Sequence, residues 1–323
     1  MKKLSILWFS LMIGIAGASE IGGYLFVTFR NERSALAEQV YFGLSKNGSQ
    51  WEALNDGKPV LVSDLGEKGA RDPNIIRAQN GKFYIIATDL SIFHNRSWTR
   101  AVEEGSRSIL IWESTDLVKW SEPRLVTVAP PDAGCTWAPE VIYDTASQRY
   151  LVYWASTSKA DNFTKQRIYG AWTTDFKTFS PPFVYIEKPT TIIDTSIVQG
   201  DDGKYYRFTK DEKFKAITME VSDSVTGTWK EIPDFSLAQL KGYEGPTCFQ
   251  LKPAENGKPA TWCLMLDAYQ KRGGYHPFVT DNLASGNFTA GEGFSFPFLF
   301  RHGSVLSLST AEYDRLHQAL GKK

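Results

Sequence analysis

Four carboxylates and one histidine recur at a similar place in five strand-like segments of the sequence. Each stands near the start of a short apolar run: Asp72, Glu140, Asp194, Glu244 and His302. If the five runs repeat one structural unit, the four acids converge, and converging carboxylates raise each other's pKa. Such a cluster is costly without a task, so it indicates a functional site. For any single acid, the alternative is a turn carboxylate that accepts hydrogen bonds from backbone N–H groups.

Carboxylates arranged in this way could hydrolyse a sugar bond. One carboxylate stays ionised and activates a water molecule, while a second stays protonated and donates to the leaving oxygen. A third carboxylate close to the acid raises its pKa and fixes its orientation. Water is then the nucleophile, so no organic cofactor is required.

The elements that position these residues also repeat. A strand, a turn rich in Asp, Asn or Gly and a closing aromatic residue occur at 42–51, 111–120, 171–179, 220–229 and 278–288. The closing residues are spaced by 69, 59, 50 and 59 positions: Trp51, Trp120, Phe179, Trp229 and Phe288. Repeats of about this size are typical of propeller blades.

Two further strands complete each unit. An aliphatic-aromatic strand recurs at 24–29, 82–89, 149–156, 204–211 and 261–269. Most units also have an acid-bearing run before it, at 71–77, 137–144, 192–199 and 243–251. The first unit lacks one, and 300–308 near the end of the chain can supply it.

The pattern predicts an all-β fold, a five-bladed β-propeller whose ring is closed by a C-terminal strand in the first blade. Closure removes the open edge at the seam. A β-sandwich with accidental internal similarity is the alternative. After the last strand, Ser309 and Glu312 fit a capping box, and the apolar spacing over 309–320 predicts a short C-terminal helix.

Composition narrows the partners. The 323 residues carry 36 Lys and Arg against 36 Asp and Glu, a balance that argues against nucleic-acid binding. Aromatic residues make up 14% of the chain, which suits stacked sheets or a sugar-binding cleft. The three cysteines show no metal spacing; Cys248 and Cys263 could bridge neighbouring strands or serve as small buried apolar residues.

Residues 1–18 are typical of a secretory signal peptide. Lys2 and Lys3 precede an apolar run over 4–15, and small residues at 16–18 form a cleavage site. A membrane anchor is the alternative, but the run is shorter than the ~20 residues that a span needs. We therefore expect residues 19–323 to form a single catalytic domain that is secreted or periplasmic, monomeric, and free of the membrane after cleavage.

Three of the acids lie in motifs that resemble glycoside hydrolase family 43, five-bladed propeller enzymes that act on furanosides and xylosides. The motifs are "RDP" at 71–73, "IDTS" at 193–196 and "YEGP" at 243–246. The resemblance runs from residue 24 to residue 302. It implies Asp72 as general base, Asp194 as the residue that modulates the pKa of the acid, and Glu244 as general acid. Members invert the anomeric centre, so base and acid should stand ~6.5–9.5 Å apart.

The sequence departs from the commonest family pattern in places. Arg71 precedes the base where some relatives have His, and Thr195 follows the modulator where relatives have Pro. The segment between Asp89 and Ile109 is longer than a hairpin needs. These features resemble a branch that acts on arabinofuranosides or galactofuranosides.

The resemblance also implies substrate contacts. In "WAPE" at 137–140, Trp137 would form a wall of the sugar pocket, with packing between blades as the alternative, and Glu140 would be a binding or structural acid. The long segment after Asp89 is expected to rim the pocket, with Asp89 itself and Trp98 contacting substrate.

Two cations and one histidine complete the candidates. Arg207 and Lys210 lie one strand out from Asp194, where they could bind sugar hydroxyls or keep the base ionised; ion pairs with residues 211 and 212 are the alternative. "RHG" at 301–303 resembles a family stretch whose His points down the channel near a calcium or water. His302 is therefore the candidate for a structural calcium site, although calcium prefers several oxygens.

The leading hypothesis is an inverting exo-glycoside hydrolase that releases a terminal furanosyl residue, α-L-arabinofuranosyl, from plant-type polysaccharide or oligosaccharide. A β-D-galactofuranosidase or β-xylosidase of the same family is the first alternative. A non-catalytic carbohydrate-binding propeller and a protein-interaction scaffold are the others, since a fold does not fix function.

Overall fold

The computed structural model describes residues 21–271 and 273–322, and these form five antiparallel sheets of four strands each. The expected signal peptide at 1–18 lies outside the described residues. Within the described part of the chain, helices are too short or too polar to cross a membrane. The all-β, five-bladed propeller predicted from the repeats is confirmed.

The strands follow the predicted repeat. Blade 1 contains β1 (Gly23–Thr28), β2 (Tyr41–Ser45) and β3 (Glu52–Ala53). Blade 2 contains β4 (Ala70–Arg77), β5 (Phe83–Asp89), β6 (Ser108–Ser114) and β7 (Arg124–Thr127). Blade 3 contains β8 (Trp137–Asp144), β9 (Arg149–Ser156), β10 (Arg167–Thr173) and β11 (Phe183–Ile186). Blade 4 contains β12 (Ile192–Gln199), β13 (Tyr205–Asp211), β14 (Ala216–Ser222) and β15 (Lys230–Glu231). Blade 5 contains β16 (Glu244–Lys252), β17 (Thr261–Asp267), β18 (Tyr275–Thr280) and β19 (Thr289–Ala290).

The ring closes inside blade 1. The last strand, β20 (Gly303–Leu308), pairs antiparallel with β1, with Gly23 opposite Leu308 and Thr28 opposite Gly303. Each blade therefore has its innermost strand first in the sheet order, and the predicted closure by the C-terminal strand is confirmed.

The described residues include three α-helices, which lie outside the sheets. The predicted C-terminal helix is α3 (Thr310–Leu320), with the Ser309–Glu312 capping box in place. The long segment after β5 contains α1 (Ile92–Asn95) and α2 (Trp98–Glu103), which the sequence analysis did not predict. Short 3₁₀ turns lie at Ala35–Glu38, Asn55–Gly57, Lys159–Asp161, Tyr269–Lys271 and Leu283–Ser285.

The core consists of five apolar clusters, one between each pair of neighbouring blades. Strand alternation supplies both faces of every sheet. In β1, for example, Leu25 and Val27 pack toward blade 2, whereas Tyr24 and Phe26 pack toward blade 5. Each large side chain buried in this way contributes about 1.5–3 kcal/mol, so the ring is held by its side chains rather than by hydrogen bonds between blades.

The same alternation separates two cysteines. Phe249 is opposite Cys263, and Cys248 is opposite Leu264, so the two thiols lie on opposite faces of blade 5. Both are free, and the disulfide alternative is excluded.

Candidate active site

A repeated backbone feature marks the start of the inner strands. Four of them, in blades 2 to 5, contain a residue with φ between 47° and 54° at the point where the pairing register shifts: Asp72, Ala138, Asp194 and Gly245. Such bulges re-aim the side chain at the irregular position. A left-handed conformation is uncommon in residues with a Cβ, especially Ala. The repeated strain therefore falls where the candidate catalytic groups lie.

This feature corrects the predicted equivalence of the four acids. Asp72 and Asp194 occupy the same step of the repeat, but Ala138 and Gly245 hold that step in the other two blades. Glu140 comes two residues after it, and Glu244 comes one residue before it. The reason in blade 5 is steric. A Cβ on Gly245 would lie 2.6 Å from the ring of His302, so an aspartate cannot stand there and the acid comes from the preceding residue.

Asp72 and Asp194 face each other across His302. Nδ1 of His302 lies 3.7 Å from a carboxylate oxygen of each. The Thr88 hydroxyl donates to Asp72 Oδ2 at 2.9 Å, and the backbone N–H of Gly245 donates to Asp194 Oδ2 at 3.1 Å. The two carboxylates are therefore fixed by bonds from neighbouring strands and share one imidazole.

Burial controls the charges in this group. It raises the pKa of Asp194 to about 6, with Glu244 and Asp72 adding to the effect against the charges of His302 and Lys210. Burial alone would lower the pKa of His302, but the surrounding carboxylates outweigh it and raise that pKa. The imidazole thus favours its charged form beside Asp72 and Asp194, as an ion-paired histidine does.

Glu244 is held in a different way, by a cation at each oxygen. Lys210 Nζ donates to Oε2 at 2.8 Å, and Arg301 Nη2 donates to Oε1 at 3.1 Å. Each cation has a second partner. Lys210 lies 2.6 Å from Glu212, and Arg301 Nε donates to Asp267 at 2.6 Å. For Glu244 to give a proton to a leaving oxygen, one of these two bonds would have to open when a substrate binds.

Glu244, Lys210 and Arg301 line a cavity of about 760 Å³, within the size range of small-molecule sites, whereas Asp72, Asp194 and His302 are not among its lining residues. Its lining includes Glu244, Lys210, Trp98 and Trp137. The two tryptophans meet edge to face with ring centroids 6.0 Å apart, and Trp98 is 51% exposed. The structure therefore brings both predicted aromatic contacts to the cavity, together with Tyr269, whose ring lies under Lys210 at 4.2 Å.

Three of the predicted substrate contacts do not line this cavity in the structure. Asp89 is buried in blade 2, where it accepts a hydrogen bond from the backbone N–H of Glu67 at 2.8 Å. Glu140 is buried under the site, where it accepts from the Tyr153 hydroxyl, and burial raises its pKa to about 8. Both carboxylates support the walls of the site and do not reach into it.

Arg207 is the third. It pairs with Glu220 through Nε and Nη2, at 3.0 and 2.7 Å, and stacks over Trp229. Arg207 and Lys210 are three residues apart in one strand, so their side chains leave opposite faces of the sheet. Only Lys210 faces the cavity. Its predicted alternative, an ion pair with residue 212, occurs together with the contact to Glu244.

The described residues do not fit a calcium ion at His302. Within residues 21–271 and 273–322, no group of three or more His, Cys, Asp or Glu side chains is arranged to hold a metal. The ring nitrogen that faces the carboxylates, Nδ1, is their ion-pair partner. A protonated imidazole offers no lone pair to a cation.

Sequence reasoning missed several residues around Glu244. Arg301 directly precedes His302 in the quoted motif, so it had a local signal. Asp267, opposite Glu244 in the register, is fully buried and holds both Arg301 and the His302 backbone N–H. Arg71 bonds Glu32 and Glu38 at 2.9 and 3.0 Å. These ion pairs join residues that are far apart in the chain, and no spacing in the sequence predicts them.

The fold and the site define the class of protein: a five-bladed propeller with clustered carboxylates under a cavity at one end of its axis. A family model for glycoside hydrolase 43-related proteins, described as "Probable glycosyl hydrolase domain", matches residues 19–314. The chain belongs to this family, which confirms the resemblance found in the motifs.

Individual relatives agree with this assignment. An α-L-arabinofuranosidase of Bifidobacterium longum subsp. longum is 31% identical over 211 residues, which are 59% of this chain and 20% of that protein. The chain thus spans about a fifth of that relative's length.

Solved structures share the fold. An exo-β-1,3-galactanase of Phanerochaete chrysosporium, determined with β-1,3-galactotriose, has a TM-score of 0.50 at 17% identity, over 68% of this chain and 49% of that one. A thermostable family-43 glycoside hydrolase has a TM-score of 0.50 at 16% identity, over 72% of this chain and 75% of that one.

Proposed function

We propose that this chain is an inverting exo-glycoside hydrolase that releases a terminal α-L-arabinofuranosyl residue. The observation that carries the proposal is the carboxylate cluster from three blades: Asp72 and Asp194 share the His302 imidazole, and Asp194 accepts from the N–H of the residue after Glu244, which lines the aromatic-walled cavity. The similarity to an α-L-arabinofuranosidase supports the choice of sugar. The galactan-active structural neighbours share only the fold, so they favour no substrate.

In the proposed reaction, Asp72 takes a proton from a water molecule that attacks the anomeric carbon. The bond between that carbon and the leaving oxygen breaks, and Glu244 gives its proton to the leaving oxygen. Asp72 ends protonated and Glu244 ionised, and exchange with solvent restores both. Since water attacks from the face opposite the leaving group, the configuration inverts.

The surrounding residues prepare these two roles. The Thr88 hydroxyl orients Asp72 without neutralising it. Asp194 is close enough to Asp72 and Glu244 for their charges to act on one another, and its negative charge opposes loss of the proton from Glu244. Lys210 and Arg301 hold the ionised Glu244 that the reaction leaves behind. Trp98 and Trp137 offer apolar faces against which a sugar ring can pack.

The test combines a substrate screen with stereochemistry. p-Nitrophenyl α-L-arabinofuranoside, β-D-galactofuranoside and β-D-xylopyranoside are offered to the wild type and to Glu244→Gln. We expect hydrolysis of the arabinofuranoside, and proton NMR of the first-formed sugar should show the inverted anomer. Faster hydrolysis of one of the other two glycosides would mean that the released sugar is the one in that glycoside and not arabinofuranose. Retention would reject the roles of Asp72 and Glu244, and binding of oligosaccharide without hydrolysis would favour a carbohydrate-binding propeller.

A further inference from the structure

Cations outnumber carboxylates among the side chains that line the cavity. Five lining residues are cations, namely Arg30, Arg33, Arg71, Lys210 and Arg301. Three are carboxylates, namely Glu32, Glu212 and Glu244. The three deeper cations all have carboxylate partners. Arg71 pairs with Glu32 and Glu38, Lys210 with Glu212 and Glu244, and Arg301 with Asp267 and Glu244. These three cations are therefore matched by five carboxylates, and none of the three is left without a partner.

The two remaining arginines are different. Arg30 and Arg33 stand in the turn that follows β1, and neither forms an ion pair with a carboxylate in residues 21–271 or 273–322. Arg30 is nevertheless held in place. Its guanidinium carbon lies 4.6 Å from the ring centroid of Phe298 and 5.6 Å from that of Tyr41. A guanidinium that stacks by its face can still direct N–H groups toward a ligand.

The turn lies next to the candidate catalytic groups. Glu32, between the two arginines, accepts a hydrogen bond from Arg71 Nη1 at 2.9 Å and lies 3.7 Å from Arg301 Nη1. Arg301 in turn contacts Glu244. Arg30 and Arg33 therefore line the same cavity as Glu244, where a sugar attached to the released residue would lie. Two cations without carboxylate partners among the described residues suit an anionic group on that sugar better than hydroxyl groups alone.

We propose that Arg30 and Arg33 bind the carboxylate of a uronic acid residue that is joined to the furanosyl residue released. The inference rests on the proposed function and names its substrate class more closely. A planar carboxylate matches the fork of a guanidinium and can accept two parallel hydrogen bonds from it. The site thus favours acidic oligosaccharides over their neutral counterparts.

The experiment compares two oligosaccharides that differ in one group. Each carries an α-L-arabinofuranosyl residue, in one case on glucuronic acid and in the other on the glucose obtained by carboxyl reduction. We expect the wild type to have a kcat/KM about tenfold or more higher for the acidic substrate, as for a charge-assisted bond. The preference should approach unity in Arg30→Gln/Arg33→Gln and should weaken with added salt.

A matched control is Arg149→Gln. Arg149 also stacks on an aromatic ring, with its guanidinium carbon 4.5 Å from the centroid of Trp172, but it does not line the cavity. This variant should keep the wild-type preference. Equal kcat/KM for the two substrates in the wild type would overturn the inference, as would a preference that survives in the double variant. Stronger preference for a sulfated analogue would overturn the assignment to a carboxylate.

Failure of the proposed function can be told apart. If the wild type hydrolyses neither oligosaccharide, calorimetry measures binding of the same pair to the wild type. Binding of the acidic one that is tenfold or more tighter would still support the uronate site, and equal binding would reject it.

Discussion

The carboxylates of blade 2 and blade 5 are held by different means. Asp72 accepts a hydrogen bond from the neutral hydroxyl of Thr88 and lies 3.7 Å from the His302 imidazole, whereas Glu244 has a cation bonded to each oxygen. A hydroxyl orients a carboxylate and leaves its charge available to take a proton from water. Two cations fix a carboxylate through bonds that must open before it can carry a proton. The proposed base is thus ready in the free structure, while the proposed acid depends on a rearrangement of Lys210 or Arg301.

The largest expected effect tests this comparison by changing the leaving group of the substrate. Glu244→Gln should lower kcat/KM by about 10²–10⁴-fold on an oligosaccharide, because an alkoxide leaving group needs a proton. Much of the loss should disappear on a 2,4-dinitrophenyl furanoside, whose leaving group needs none. Asp72→Asn should lower kcat/KM by a similar factor on both substrates, because hydrolysis of each requires an activated water. Steady-state kinetics on the two substrates measures the contrast.

Circular dichroism and thermal melting of both variants exclude a folding defect as the cause. If Glu244→Gln lost equally on both substrates, Glu244 would not be the acid. If instead Asp72→Asn recovered with the activated leaving group, the two roles would have to be exchanged.

The second test removes a cation from the acid side. The charge of Lys210 lowers the pKa of Asp194, which burial has raised to about 6. In Lys210→Met this pKa should rise further, and the acidic limb of the kcat/KM profile should move to higher pH. Activity below pH 6 should then fall by about tenfold relative to the plateau, the effect of one pKa unit.

Lys210→Arg provides the conservative comparison, because it keeps the charge beside Asp194. It should restore the wild-type acidic limb even if its plateau is lower. An unchanged limb in Lys210→Met would mean that Asp194 does not govern activity in this range.

The third test concerns Glu140, the carboxyl group buried beneath the candidate active site. Burial raises the pKa of Glu140 to about 8, so the folded protein keeps this proton while the unfolded chain releases it near the ordinary value. The folded state then binds more protons, and its stability falls as the pH rises through this window. Glu140→Gln has no proton to lose. It should be more stable than the wild type at pH 9, by on the order of a few kcal/mol, and the difference should vanish near pH 4.

Urea unfolding at several pH values measures this difference. The control is Glu231→Gln, an exposed acid in β15, which should leave the pH dependence unchanged. Parallel stability curves for wild type and Glu140→Gln would show that Glu140 is ionised in the folded protein.

Much of the fold could be predicted from the sequence because the patterns that indicate its strands are local and repeated. The recurring aliphatic-aromatic strand and the recurring turn with its closing aromatic residue mark the second and third strands of each blade. The acid-bearing runs then had to be the innermost strands, including the one at 300–308. The helices α1 and α2 were missed because they have only four and six residues. Their stability comes from serine caps and from Glu38, a distant residue that accepts from the Ile92 and Phe93 backbone N–H groups.

The site was legible only in part. The motifs identified Asp72, Asp194 and Glu244, but the offset of Glu244 by one residue follows from a clash between Gly245 and His302, 57 residues apart in sequence. No local pattern reveals such a contact. That Arg207 does not line the cavity could have been predicted, because strand alternation places its side chain on the opposite face of the sheet from that of Lys210. The partners of Arg71 and Arg301 depend on the closure of the whole ring.

The smallest effect should come from the rim. Trp98 is 51% exposed on α2, and Arg71 stacks 5.6 Å from its ring, so the indole stands at the rim of the cavity rather than in its floor. Trp98→Ala should raise KM about 3- to 10-fold, the value of one aromatic contact, with little change in kcat. Phe214→Ala is matched in exposure, at 55%, but lies in blade 4 outside this cavity, and it should leave both constants unchanged. A fall in kcat in Trp98→Ala would mean that the rim takes part in the chemical step, and the separation between a catalytic floor and a binding rim would then be wrong.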